Sequence, residues 1–187
     1  MTISSSLIIS LMIWISTMTG YVVPDPPKVG YKTESELTRI LYNCTHPTEL
    51  TKLICDDIIS NKGKHVFTKH HRTLAIYNNV LQQIYIKKGL EKSYNKVVLQ
   101  SILLHELIHH MQYQNKVNFS LLPEKGPCIG KYEQEAYYLQ NIWLLKQGQK
   151  TVFEALDLDS LYLMMLFSCE DYNYFGSFDK LIYQKIH

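Results

Sequence analysis

Charge is scarce in this chain of 187 residues: Asp, Glu, Lys and Arg together make up 19%, and the net charge is +2. None of the four occurs before Asp25. A chain so near neutral, with 46% hydrophobic residues, is neither a disordered polyelectrolyte nor a basic nucleic-acid binder. Internal repeats and low-complexity tracts are also missing, which leaves one globular domain of ordinary size with enough length to bury a core unaided. The four cysteines form no C-x-x-C pair, so a thiolate metal site is not expected. In an oxidising compartment Cys44, Cys55, Cys128 and Cys169 are instead expected to form two disulfides; three pairings are open, and Cys44 with Cys55 and Cys128 with Cys169 is favoured because the first closes a short helical hairpin. The second would tether a late helix to the loop before Glu135.

The uncharged amino terminus holds LIISLMIWISTM, from Leu7 to Met18, ahead of Thr19-Gly20 and the breaker-rich YVVPDPPKVG. This is signal-peptide length and order. Residues 1–20 are expected to be a signal peptide, with 21–187 forming a single exported domain, periplasmic or secreted, that has no stable membrane insertion after cleavage. The alternative is a membrane anchor over residues 7–23, at the lower edge of the length that spans a bilayer.

Past a Pro-rich strap at 22–32, apolar residues recur at three-to-four spacing over 34–43 and 48–59, predicting two amphipathic helices. Two β-rich stretches follow, Thr73 to Tyr77 and Gln83 to Lys87, separated by Asn78-Asn79. Gly89 ends the second, and Ser93 is placed to cap a long helix from Tyr94 to about Gln114. A Pro- and Gly-rich loop leads to a helix from about Lys131 to Lys146, and a last helix is expected from Asp159 to Glu170. The order predicts an α+β fold, mostly helical, with a small antiparallel sheet beside the long helix.

That long helix contains LLHELIHHMQ, in which His105-Glu106-Leu107-Ile108-His109 is an H-E-x-x-H pattern. Residues four apart lie one turn above each other, so the two imidazoles can bind one Zn²⁺. Glu106, turned about 100° away, stays off the metal but near water bound to it. Roughly 0.02 accidental matches are expected from the His and Glu content, and the apolar flanks make two buried histidines costly without a metal or partners. His110, His70 and His71 read as ordinary surface or supporting histidines, and Gln112 as an orienting or exposed residue.

A catalytic zinc site needs a third protein ligand and an open position. The extended motif with Gly and His three and six residues after the second histidine is absent, since Gln112 and Asn115 stand there. The helix beginning KYEQEAYYLQNIWLL offers Glu133 and Glu135, which differ by about 200° and cannot both face the metal. Glu135 shares a face with Leu139, Ile142 and Trp143, whereas Glu133 aligns with Tyr137, Gln140 and Gln147. Glu135 is therefore expected to be the third ligand and Glu133 the alternative.

LLHELIHHMQ followed by YEQEAYYLQNIWL resembles the zincin metallopeptidases of the gluzincin type. It is similar, more closely, to a bacterial family of small exported metallopeptidases whose substrates are undescribed. The resemblance covers roughly residues 70 to 147. It implies His105, His109 and Glu135 as ligands of one Zn²⁺ per chain, Glu106 as general base, and a peptide or protein as substrate. It also implies an antiparallel edge strand that receives substrate, for which Ile84 to Lys87 is the local fit. Tyr132, Tyr138 and Tyr172 are all candidates for an oxyanion-stabilising group. The competing expectation is a zinc-stabilised binding protein of the cell envelope that performs no hydrolysis.

Overall fold

The structure is a computed structural model that describes residues 3–42, 44, 55, 73–119, 128–159 and 166–167. Its elements, in chain order, are α1 (Ser5–Thr19), β1 (Lys28–Lys32), α2 (Glu34–Leu41), β2 (Ala75–Asn78) and β3 (Gln83–Lys87). A short 3₁₀ turn (Leu90–Lys92) then leads to α3 (Lys96–Gln114), α4 (Ile129–Lys146) and α5 (Val152–Leu156). The fold is α+β, as expected. The helix expected over 48–59, most of the one over 159–170, the Pro- and Gly-rich loop, His70, His71, Tyr172 and Cys169 lie outside the described residues.

Helix α3 is the centre of the molecule. Every residue from Ser101 to Ile108 is buried, with Leu104, Leu107, Ile108 and Met111 fully so, and a helix buried on all sides must be enclosed by others. Three groups of side chains enclose it: Met12 and Ile15 of α1, Ile84 and Ile86 of β3, and Ala136, Leu139, Trp143 and Leu144 of α4. The helix starts at Lys96 rather than at Tyr94, because the cap is Asn95, whose side-chain oxygen accepts the Val98 N–H at 2.9 Å. Ser93 instead closes the preceding 3₁₀ turn by donating its N–H to the Leu90 carbonyl.

The sheet differs from expectation in two respects. Its order is β1-β3-β2, with β1 parallel to β3 and β2 antiparallel to it, so it is mixed rather than antiparallel. The strap contributes β1, since Lys28 to Lys32 pair with Gln83 to Lys87 even though they lack hydrophobic alternation. Paired on both sides, β3 cannot take an added strand, which overturns the expected role of Ile84 to Lys87 as the receiving edge. The edge strand packed beside α3 is β2.

The apolar run expected to be a signal peptide is here helix α1, capped by Ser4 and ended by Gly20 at φ +78°, with Ile8, Leu11, Met12 and Ile15 buried in the common core. Its 15 residues span about 22 Å. Among the described residues no helix is long and apolar enough to cross a membrane. The Cys44–Cys55 disulfide forms as expected. Cys128 is also disulfide-bonded.

At the start of α4, Gly130 lies against the backbone at Leu166 and Phe167. A methyl group there would meet the Leu166 carbonyl oxygen at 2.7 Å and that of Phe167 at 2.9 Å. Neither is the end of a flexible side chain, so the helix would have to move. Gly130→Ala is expected to destabilise by about 1–3 kcal/mol, lowering the melting temperature by about 2–4 °C per kcal/mol, as calorimetry would show.

Candidate metal centre

The H-E-x-x-H spacing places His105 and His109 on one face of α3, with their Nε2 atoms 3.1 Å apart. The facing helix α4 brings a carboxylate to both: Glu133 Oε2 is 3.3 Å from His105 Nε2, and Oε1 is 3.3 Å from His109 Nε2. His105, His109 and Glu133 form a group that can hold a metal ion. The acidic partner is thus Glu133, and the expectation of Glu135 is corrected.

The reason lies in Gln140. The most buried stripe of α4 runs through Ala136, Leu139, Gln140, Trp143 and Leu144, and Glu133 sits one turn before Ala136 and two before Gln140. A glutamine in this stripe suggests a solvent face, yet Gln140 is 1% exposed because its Oε1 lies 3.1 Å from His105 Nδ1. Glu135 occupies the flank, where it accepts from Gln112 Nε2 at 2.8 Å and from the Tyr21 hydroxyl at 2.9 and 2.8 Å to its two oxygens. A carboxylate on that side does need partners, and they are these two residues rather than a metal.

Each imidazole is held from behind. His109 Nδ1 meets Gln112 Oε1 at 2.9 Å, and His105 Nδ1 meets Gln140 Oε1 at 3.1 Å. The Tyr137 ring stands edge-on to His105 with centroids 4.4 Å apart, and Phe167 lies beyond it at 5.8 Å from Tyr137. His110 is buried and is not a member of the group that can hold a metal. Its Nε2–H donates to the Asp25 carbonyl at 2.9 Å and its Nδ1 accepts from the Tyr77 hydroxyl at 3.1 Å, which ties the strap and β2 to α3.

Glu106 is buried on the neighbouring face of α3, near His105, His109 and Glu133, with the Tyr77 backbone of edge strand β2 beside its carboxyl. Burial is the dominant influence and raises its pKa above the usual carboxylate value, while the adjacent imidazoles work the other way. Burial would also raise Glu133, but the two histidines outweigh it and keep that carboxyl ionised well below the ordinary range. The same carboxylate raises His109 against the opposing effect of its own burial. A buried anion facing two ring nitrogens calls for a positive charge, which either a proton or a metal ion supplies. Two imidazole nitrogens and one carboxylate suit a divalent ion of the zinc type and leave a coordination position open.

Among the described tyrosine candidates, neither Tyr132 nor Tyr138 turns toward the site. Tyr132 donates its hydroxyl to the Val117 carbonyl at 2.6 Å and packs on Phe119, and Tyr138 is 64% exposed. The residues that sequence reasoning missed are Tyr21, Tyr77, Ser101, Tyr137 and Gln140. A signal was present: Ser101, His105 and His109 follow one another at intervals of four on α3, and Glu133, Tyr137 and Gln140 at four and three on α4, two polar stripes on otherwise apolar helices.

The Tyr21 contact has a pH signature. Burial raises its phenol, and the bond to Glu135 raises it further. A folded-state value above the unfolded one, near 10, means that this contact contributes fully below about pH 10 and is lost as pH climbs through the folded value. Tyr21→Phe is expected to cost about 1–2 kcal/mol at neutral pH, the low end for a hydrogen bond to a charged group because the pair is part-buried. It should also flatten the alkaline fall in melting temperature. An unchanged alkaline profile would refute the contact.

An α+β fold wrapped around an H-E-x-x-H helix, with a glutamate from a second helix facing its histidines, defines a candidate metalloprotein. Residues 44–173, which contain His105, His109 and Glu133, match a domain of unknown function (DUF6647), and the chain belongs to that family. No curated protein matches it, and no solved structure does.

Proposed function

We propose that this chain is an exported zinc-dependent metallopeptidase acting on a peptide or protein substrate. The observation that carries the reading is the convergence of His105 Nε2, His109 Nε2 and the Glu133 carboxylate beside a buried glutamate that is not part of the group. His105, His109 and Glu133 would hold the ion, one per chain, with zinc favoured by the ligand set. A zinc ion bound there supplies Lewis acidity to a scissile carbonyl and makes a water molecule acidic near neutral pH.

The remaining chemistry belongs to the chain's own residues. Glu106 takes the proton of the attacking water and returns it to the leaving amine, a shuttle helped by a carboxyl whose pKa burial raises above the usual carboxylate value. The Tyr77 backbone of edge strand β2 lies beside that carboxyl, which puts the base next to the strand along which an extended peptide could lie. Export is supported by the Cys44–Cys55 disulfide, since such bonds persist in oxidising compartments. The test is hydrolysis of a peptide library by purified protein supplied with zinc. Cleavage that a chelator stops and added zinc restores supports the proposal; cleavage indifferent to chelator, or none at all, refutes it.

A further inference from the structure

Both histidines of the metal group turn the same ring nitrogen toward Glu133, and two chains of hydrogen bonds explain why. The Val98 carbonyl oxygen can only accept, so the Ser101 hydroxyl, 2.8 Å away, gives it its single proton. Ser101 Oγ is then an acceptor toward Gln140 Nε2 at 3.2 Å. With its amide nitrogen so placed, Gln140 presents its oxygen to His105 Nδ1 at 3.1 Å. An amide oxygen cannot donate, so Nδ1 carries the hydrogen, and in the neutral ring the lone pair lies on Nε2.

The second chain reaches the same result from different anchors. Gln112 Nε2 donates to the Tyr132 carbonyl at 3.1 Å and to the Glu135 carboxylate at 2.8 Å, both of which only accept. Its Oε1 therefore faces His109 Nδ1, at 2.9 Å. Gln112, Gln140 and Ser101 are each at most 1% exposed, so no solvent is at hand to satisfy a flipped amide.

We infer that Gln112 and Gln140 are positioning residues that fix a hydrogen on Nδ1 of both imidazoles, so that Nε2, the nitrogen turned toward Glu133, is the one offered to a cation, whether proton or metal ion. The correct orientation is thus built into the apoprotein, and Glu135, with Tyr21 behind it, serves as an anchor for Gln112. The consequence for zinc affinity rests on the metal-site reading; the tautomers themselves do not.

The test has two parts. Ring-nitrogen ¹⁵N spectra of the metal-free wild-type protein, at a pH where both rings are neutral, should show Nδ1 protonated on His105 and His109. Zinc affinity, measured by competition with a chromophoric chelator, should fall about 10–100-fold in Gln140→Leu and in Gln112→Leu. Ser101→Ala, which only deletes a buried hydroxyl, should shift the tautomer of His105 and leave that of His109 alone. Gln140→Glu should keep the Nδ1–H form, because a carboxylate accepts the same proton. If the leucine variants fail to fold, the wild-type spectrum and Ser101→Ala still decide. An Nε2–H form at either ring of the wild-type protein, or leucine variants that bind zinc as tightly as wild type, would overturn the inference. Nδ1–H at both rings in a protein that binds no zinc would support the tautomer lock and remove the metal reading instead.

Discussion

Glu106→Gln is expected to bind zinc as wild type does and to lose about 10²–10⁴-fold in kcat/KM, the range that a positioned general base contributes. The substitution keeps the volume of the buried side chain and preserves one hydrogen-bond acceptor oxygen. It removes the ability to take a proton. Because Glu106 belongs to neither the Nε2 pair nor the carboxylate facing it, metal content should not change. The measurement pairs bound zinc with steady-state hydrolysis of a peptide that the wild-type protein cleaves. Full activity in this variant would remove Glu106 from the mechanism, and loss of zinc together with activity would mean that its role is to support the site.

The second large effect separates two glutamates that lie two residues apart. Glu133→Gln takes away the only carboxylate in the group that can hold a metal, and with it the anion directly facing both Nε2 atoms. Zinc affinity should fall by more than about 100-fold, beyond what residues behind the ligands typically contribute. Glu135→Gln leaves the three converging atoms in place and weakens only the anchor of Gln112, so a loss within about 10–100-fold is expected. Isothermal titration of the two variants decides the matter by their order. If Glu135→Gln were the more damaging, the geometry described for α4 would be wrong.

The α+β class and the long helix with its histidine pair were legible in the sequence because they rest on local periodicity and on spacing of four along a helix. Strand β3 was equally plain, being bounded by Asn78-Asn79 and Gly89. Selection between Glu133 and Glu135 was not legible by hydrophobicity, since the deciding face of α4 is buried around a polar contact. Gln140 is inside because it meets His105, and a rule that sorts polar residues to the surface misplaces it. Strand β1 escaped notice for a related reason. Its pairing with β3 uses backbone groups, and the pattern Lys-Val-Gly-Tyr-Lys has no alternation to betray it. Helix α1 is ambiguous in principle, since a run of apolar residues long enough to direct export is also long enough to cover a core helix. In the structure Ile8, Leu11, Met12 and Ile15 of this helix pack into the core, and Tyr21 just beyond it reaches Glu135.

The central claim is that His105, His109 and Glu133 form a metal site. Elemental analysis of the purified protein, after dialysis against zinc and removal of excess, tests it most directly. One zinc per chain in wild type, and none in His105→Ala, is the predicted result; wild-type protein without stoichiometric metal, or His105→Ala that retains it, would contradict the account.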